Sequence, residues 1–486
     1  MLAVVHNVTA ATRLFDVLPI LADDPRVQVH FTCPDSSPFR GQISEYLTER
    51  SVTPISWETA RETRFDLAIA ASHGGPLHQL KAPLIVLPHG MGYNKYLVPK
   101  TENRKPKTEN RDRFPVFGLD PEWLLHDGEV IASSLVLSHP EQLDRLRISC
   151  PEAAEVAVVA GDPSFDRALA SLPLRHLYRE ALGVRQRLIL VSSTWGRASL
   201  LGRQPDLVRR LRAELPLDDY AVAVALHPNV WSAHTPWQVR RWLDASVRSG
   251  VIVFPAHEGW RAGLVAADLV IGDHGSVTFY GAALGTPVLL AEAPHETVDP
   301  ASAIGRFLRA ADRLRAGPLR PQIEDAITDG PSSEVTEIAA LATSAPLKSA
   351  ELLRAELYRL LDLPEPEHPA EPAALPFPEV EARAATVQEV EVELEEHGGV
   401  WRAKVVRFAA ERVLRGRPLR KNAHLVVRTD EPSDTALQLA DIVVHQEPGG
   451  AEWITEILKA LPGATVAARP ADGKTWLIGT TEEQIR

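Results

Sequence analysis

The chain has 486 residues, 45% of them hydrophobic, enough for two or three domains with ordinary cores. A net charge of −12 and a pI near 5.8 argue against a general nucleic-acid binder, which carries a basic footprint. Two cysteines, Cys33 and Cys150, make neither a zinc pattern nor a disulfide framework. They fit a reducing cytoplasm. Residues 1–16 lack the basic start and long apolar core of a secretory leader, and no run of the ~18 apolar residues that a spanning helix needs is present.

In chain order, LAVVHN at 2–7 predicts a strand and ATRLFDVLPILADD at 11–24 the helix after it. VQVHFTC (27–33), FDLAIAASHGG (65–75) and APLIVLPHG (82–90) predict three more strands, the last two ending in His-Gly. A direct repeat, Lys-Thr-Glu-Asn-Arg at 100–104 and again at 107–111, has no apolar face and reads as a solvated loop after that strand end. Residues 130–148 and 154–169 complete the first series. A second series begins near Arg185: RLILVSSTWG (187–196), YAVAVALHPNV (220–230), GVIVFPA (250–256), ADLVIGDHGS (267–276) and TPVLLAE (286–292). Strand-then-helix alternation implies mostly parallel sheets, so the expected class is α/β with two Rossmann-like halves facing a cleft.

Residues 334–361 read as helical, bracing one half on the other. LPEPEHPAEPAALPFPEVE, from Leu363, is rich in Pro and Glu and reads as an exposed linker open to proteolysis. Beyond it, strand-like 387–396, a strand-to-helix run at 401–416, and a strand and helix at 440–461 predict a small α+β unit without a chemical motif. The expected domains are 1–172, 173–361 with the bracing helices, a linker at 362–378, and 379–486.

Ligands of open α/β sheets sit outside the carboxyl ends of the strands. The polar residues predicted there are His6, His73-Gly74, His89-Gly90, Ser192-Ser193-Thr194, His227-Pro228, His257 and Asp273-His274-Gly275-Ser276. After Ile271 the chain turns into a helix starting near Ser276 and stopping at Gly285-Thr286-Pro287. Amide N–H groups at such a start bind phosphate oxygens, and the helix dipole favours negative charge there. Gly275 permits close approach. Ser276 either caps the helix, the preferred reading, or donates to phosphate; Asp273 either orients His274 or receives a ribose hydroxyl. Histidines exchange protons near neutral pH, and phosphoryl transfer asks chiefly for positioning and charge stabilisation. No HExxH, no GxxxxGK[ST] and no carboxylate cluster at metal-ligand spacing occurs, so the expected chemistry uses no metal and no cofactor. The absence of GxGxxG after the first strand disfavours a dinucleotide oxidoreductase.

Taken in order, HGMGYNK (89–95), LHPNV (226–230) and GDHGSVTFYGAALGTPVLL (272–290) resemble the CDP-glycerol glycerophosphotransferases of teichoic-acid synthesis, with smaller matches at 160–169 and 189–196. The resemblance spans roughly residues 60–300. Met91, Gly92 and His274-Gly275 depart from the family's Thr, Pro and Tyr-Ser. It implies a GT-B fold and transfer of an alditol phosphate from a CDP-activated donor to an acceptor hydroxyl, with release of CMP. His89 is then the base and His227 its catalytic partner. Ser193, Thr194, Asp273, His274, Gly275 and Ser276 would contact donor phosphate or nucleotide, and His6, His73, Gly90 and Lys95 would face the acceptor. The acceptor is a polyol or glycan, and a lipid-linked form used at the inner membrane face is compatible. The helix start is similar to that of UDP-sugar glycosyltransferases and UDP-N-acetylglucosamine 2-epimerases, which keep the fold and change the chemistry. An inert scaffold whose last domain binds a protein partner is the remaining alternative.

Overall fold

The structure, a computed structural model, describes residues 1–486 except 22, 36–39, 97–114, 381, 399 and 482–486. The Lys-Thr-Glu-Asn-Arg repeat lies outside the described residues.

The first sheet holds β1 (Leu2–Val4), β2 (His30–Thr32), β3 (Ala68–Ala70), β4 (Leu84–Val86), β5 (Ser134–Leu137) and β6 (Ala157–Val159). They run parallel in the order β2-β1-β3-β4-β5-β6. β1, β3, β4 and β5 are buried along their whole length, as strands covered by helices on both faces must be. The second sheet holds β7 (Arg187–Ser193), β8 (Tyr220–Leu226), β9 (Ile252–Val253), β10 (Leu269–Gly272) and β11 (Val288–Leu290), parallel in the order β9-β8-β7-β10-β11. Each order turns back on itself at its first strand, which opens a crevice at the carboxyl ends.

The helices that position the site are α1 (Val8–Val17), α2 (Pro163–Ser171), α3 (Leu207–Glu214), α4 (Pro228–His234), α5 (Pro236–Arg248), α6 (Ser276–Ala283) and α7 (Ser349–Leu361). α1 starts earlier than its apolar spacing predicts because Asn7 caps it, accepting from Ala10 N–H at 2.7 Å; Pro19 then confines the chain to a 3-10 turn at Leu18–Leu21. The expected helix at 334–361 is two, Ser333–Ala339 and α7, with Pro346 in the break between them. The halves are stitched by exchange of elements. Leu353, Leu357 and Tyr358 of α7 pack into the core of the first half although α7 follows the second. Phe165 and Ala168 of α2 pack into the core of the second half beside Phe254, Phe279 and Phe307. Each such buried aromatic stabilises by about 1.5–3 kcal/mol.

Among the described residues of 363–386 there is no helix or strand. Most of their side chains are exposed, but Leu375 is buried in the second half's core and its carbonyl accepts from Tyr178 Oη at 2.8 Å. Arg167 holds the carbonyls of Ala373 and Ala374. The last sheet has the order β13-β12-β14-β15-β16-β17, from β12 (Val387–His397), β13 (Val400–Ala409), β14 (Ala423–Arg428), β15 (Ile442–Val444), β16 (Val466–Pro470) and β17 (Trp476–Thr480), with α8 (Asp434–Gln438) and α9 (Glu452–Ala460) in the connections. The expected helix near 410–416 is only a 3-10 turn, Val413–Arg415, ended by Gly416 at φ 75°. This unit leans on the back of the second half: Leu217 N–H donates to Arg407 O (2.7 Å), and Arg420 reaches Ala213 O at the end of α3 (2.5 Å).

Candidate active site

Pro88-His89-Gly90 follows β4, and the loop beyond it is rigidly held. Tyr93 adopts φ 63°, a conformation bulky residues rarely take. Surrounding bonds over-determine it: Tyr93 Oη donates to Val136 O (3.1 Å), Arg145 donates to Tyr93 O (2.6 Å), and Asn94 Nδ2 donates to Met91 O (2.5 Å) and Gly92 O (2.7 Å). Strain held this way clusters at functional sites. The loop faces the carboxyl ends of β7, β8 and β10 across a hollow of about 200 Å³. His73, His89, Gly90, Lys95, Ser193, Thr194, His227, Gly275 and Ser276 all line it. His6, Asp273 and His274 are not among its lining residues.

Two histidines in the wall have their ring nitrogens committed in opposite senses. His89 Nδ1 lies 3.1 Å from Ala71 O. A carbonyl only accepts, so Nδ1 carries the proton and Nε2 keeps its lone pair. His227 Nδ1 accepts from Asn229 N–H (3.1 Å), closing the first turn of α4, so its proton sits on Nε2. Burial lowers the pKa of His89 to about 4, and the cationic Arg13 and Lys95 push the same way against the Ala71 bond. Burial, then Lys95, lowers His227 and His274 to about 3. All three rings are neutral at pH 7: one presents a base, another a donor. His73, packed against Tyr93 and Phe117, is lowered to about 4, chiefly by burial.

α6 begins at Ser276 with Gly275 at its cap position (φ −80°, ψ 154°), and no side chain caps it. The capping role expected of Ser276 is replaced: its Oγ accepts from Met91 N–H of the opposite half at 3.1 Å. The first-turn amides of α6 are left without a side-chain cap, as an anion site requires. Asp273 is bonded within its own half. It is fully buried and accepts from Thr194 N–H (2.9 Å), Thr194 Oγ1 (2.8 Å), Leu200 N–H (2.9 Å) and Gly275 N–H (3.1 Å). It clamps the loop after β7 onto the loop after β10. Ser193 is likewise engaged, donating to Thr194 O (3.0 Å) and accepting from Leu201 N–H (3.1 Å). His274 is buried with Nδ1 unpartnered.

The glycines work by packing. A Cβ on Gly90 would stand 2.8 Å from Ser276 Oγ, one on Gly275 2.8 Å from Thr194 Cγ2, and one on Gly74 2.5 Å from the His6 ring. Gly90 therefore lets the halves meet, and Gly275 lets two loops of one half meet.

Arg13 and Tyr280 are not among the polar strand-end residues of the sequence. Both line the cleft and both bond Asp162 at 2.5 Å, with Arg13 also donating to Tyr280 Oη at 3.2 Å. The available signal was Arg13 itself, a cation on an apolar helix directly after a strand ending in His6-Asn7.

No family model and no curated protein sequence matches the chain. Solved structures do. The wall teichoic acid polymerase TagF superposes with a TM-score of 0.51 at 11% identity, covering 74% of this chain and 89% of that one. A histidine-to-asparagine variant of TagF soaked with CDPG gives 0.50 at 12%, covering 74% and 88%. A UDP-GlcNAc 2-epimerase from Neisseria meningitidis bound to UDP-GlcNAc is similar at a TM-score of 0.43 and 12% identity, covering 74% and 99%. Two Rossmann-like halves closing on one cleft, with a separate sheet domain behind the second, give this chain the GT-B fold.

Proposed function

We propose that the protein is a transferase that moves an alditol phosphate from a CDP-activated donor to an acceptor hydroxyl and releases CMP. The observation that carries the reading is the opposed pair of histidines beside an uncapped helix start. The acceptor O–H gives its proton to His89 Nε2 and its oxygen attacks the phosphorus that bears the alditol. The bond from that phosphorus to the CMP oxygen breaks, and the electron pair leaves on CMP. His227 Nε2–H and the first-turn amides of α6 offer hydrogen bonds to the phosphate oxygens, and Lys95 supplies positive charge. Burial is the main cause of the low pKa of His89, and an anionic donor offsets the smaller contribution from Arg13 and Lys95, which raises the basicity of His89 when the donor is bound. A variant of TagF, similar in fold, was soaked with CDPG, which supports a CDP donor here. Among the described residues no helix is long and apolar enough to cross a membrane, and the polyol or glycan acceptor is proposed to be met at the cleft mouth.

A thermal-shift screen with CDP, UDP, GDP, ADP and their sugar or alditol conjugates tests this, because a ligand that binds only the folded state raises its apparent stability. Saturating CDP-glycerol at ~100 times its Kd is expected to stabilise by about 2.7 kcal/mol. Stabilisation by UDP-sugars alone shifts the reading to glycosyl transfer or 2-epimerisation. No response to any nucleotide leaves an inert scaffold with a partner-binding last domain.

A further inference from the structure

A second hollow, about 630 Å³, lies on the far side of Ala256 and His257, the two residues it shares with the cleft. That volume is in the range of small-molecule sites. Its walls come from the helix Arg40–Thr48 and the turn after it, from α4 and α5, from the loop after β9, and from the strap at Glu379–Val380.

Two features of the lining point to one class of ligand. The first is a buried donor without a partner: Trp231 is only 7% exposed, lines the hollow, and leaves its indole N–H unbonded. Buried indole N–H groups ordinarily find an acceptor. The second is a wall of acceptors beside aromatic faces. Glu45, Glu49, Asp244 and Glu379 line the hollow with a single cation among its described lining residues, Arg240, while Tyr46 and His257 stand with ring centroids 5.5 Å apart. Arg50 and Arg248 neutralise Glu49 and Asp244 in part, Arg50 at 3.9 Å, without lining the hollow themselves. Ionised carboxylates only accept hydrogen bonds. They repel a phosphate-bearing chain and suit a ligand that brings hydroxyl donors, while aromatic faces take its CH-rich surface and its ring or amide oxygens can receive the Trp231 N–H.

We propose that this hollow holds a neutral, hydroxyl-rich acceptor, a glycan or polyol without phosphates, and presents its end to the cleft past His257. The assignment deepens the transferase reading and rests on it for the word acceptor, while the binding claim stands on its own. A phosphate-rich polymer is thereby excluded from this subsite.

The test titrates the full-length protein with neutral tetrasaccharides built on glucose, galactose or N-acetylglucosamine, and with poly(glycerol phosphate), following tryptophan fluorescence and calorimetry with and without CDP. At least one neutral glycan is expected to bind saturably and more tightly than the polyanion. Trp231→Phe, which keeps the ring and removes the N–H, is expected to weaken it about tenfold, and Asp244→Asn to weaken it less, with CDP affinity unchanged in both. Circular dichroism and melting confirm that the variants fold. The proposal is overturned if no neutral glycan saturates, if the polyanion binds more tightly, if Trp231→Phe leaves glycan binding untouched, or if either variant loses affinity for CDP, which makes the hollow a nucleobase pocket. A protein that binds glycan through Trp231 yet ignores every nucleotide sinks the transferase reading and leaves this site standing.

Discussion

His89 and His227 are the same residue type at equivalent strand ends, yet their backbone partners give them opposite tautomers. That difference sets the first prediction. His89→Ala is expected to lower turnover ~10²–10⁴-fold, the usual worth of a general base, while donor affinity changes little. His227→Ala is expected to weaken donor binding as well, because its Nε2–H is proposed to meet phosphate. Titrating the donor nucleotide while following release of nucleoside monophosphate separates the two. Normal turnover in His89→Ala places the base elsewhere, with His6 and His73 the next residues to change. The polar strand ends were legible in the sequence because each ends an apolar run. The roles of His89 and Ser276 were not, because Ala71 and Met91 are partners that only folding supplies, while the cap that His227 makes with Asn229 is local. Ser276 shows this most clearly: its spacing says cap, and its actual partner is 185 residues away.

Three helices meet where the halves cross. Arg13 of α1, Asp162 at the cap of α2 and Tyr280 of α6 form one buried knot. Asp16 of α1, bonded by Arg167 and Arg261 at 2.5 Å each, forms a second. Burial opposes charge on Arg13, but Asp162 and Tyr280 outweigh it and hold its pKa above the ordinary guanidinium value. Burial and the neighbouring Asp162 keep the Tyr280 phenol protonated. Removing one partner of such a pair leaves the other buried and unpaired, at a cost of about 3–5 kcal/mol. Asp162→Ala is expected to lose that much in denaturant unfolding, and Tyr280→Phe, which removes the hydrogen bonds to Asp162 and from Arg13, about 1–3 kcal/mol. A loss below ~1 kcal/mol for Asp162→Ala would show that the knot does not hold the halves together. Apolar periodicity located all three helices, but periodicity reports only which face is buried and not which charges meet there.

At the scale of the molecule, four neutral histidines divided between the halves couple stability to acid. His73 and His89 are lowered to about 4, and His227 and His274 to about 3, chiefly by burial. In the unfolded chain each returns to about 6.5. Between those values the unfolded state binds more protons than the folded one, so stability falls as pH falls. Asp166, Asp273 and Glu411, whose carboxyls burial pushes up, act in the opposite direction over part of the range and are fewer. The denaturation midpoint is expected to drop steadily from pH 7 to pH 5, and His274→Asn is expected to flatten the slope. A midpoint that is level or rises towards pH 5 contradicts this, as does an unchanged slope in the variant.

Local order was readable in this chain. Apolar runs such as Leu188–Val191 and Tyr220–Leu226 can be little else but buried strands, and Gly, Pro and His at their ends mark where a cleft forms. That information is local because strand and helix periodicities, caps and turns act over a few residues. The tertiary structure alone decided that α7 packs in the half it does not follow, that the Pro/Glu segment is pinned through Leu375, that Asp273 clamps the loop after β7 onto the loop after β10, and that a second hollow lies behind His257. Each depends on shape and charge meeting across tens to hundreds of residues, and the choice among buried partners is made by packing the whole chain at once.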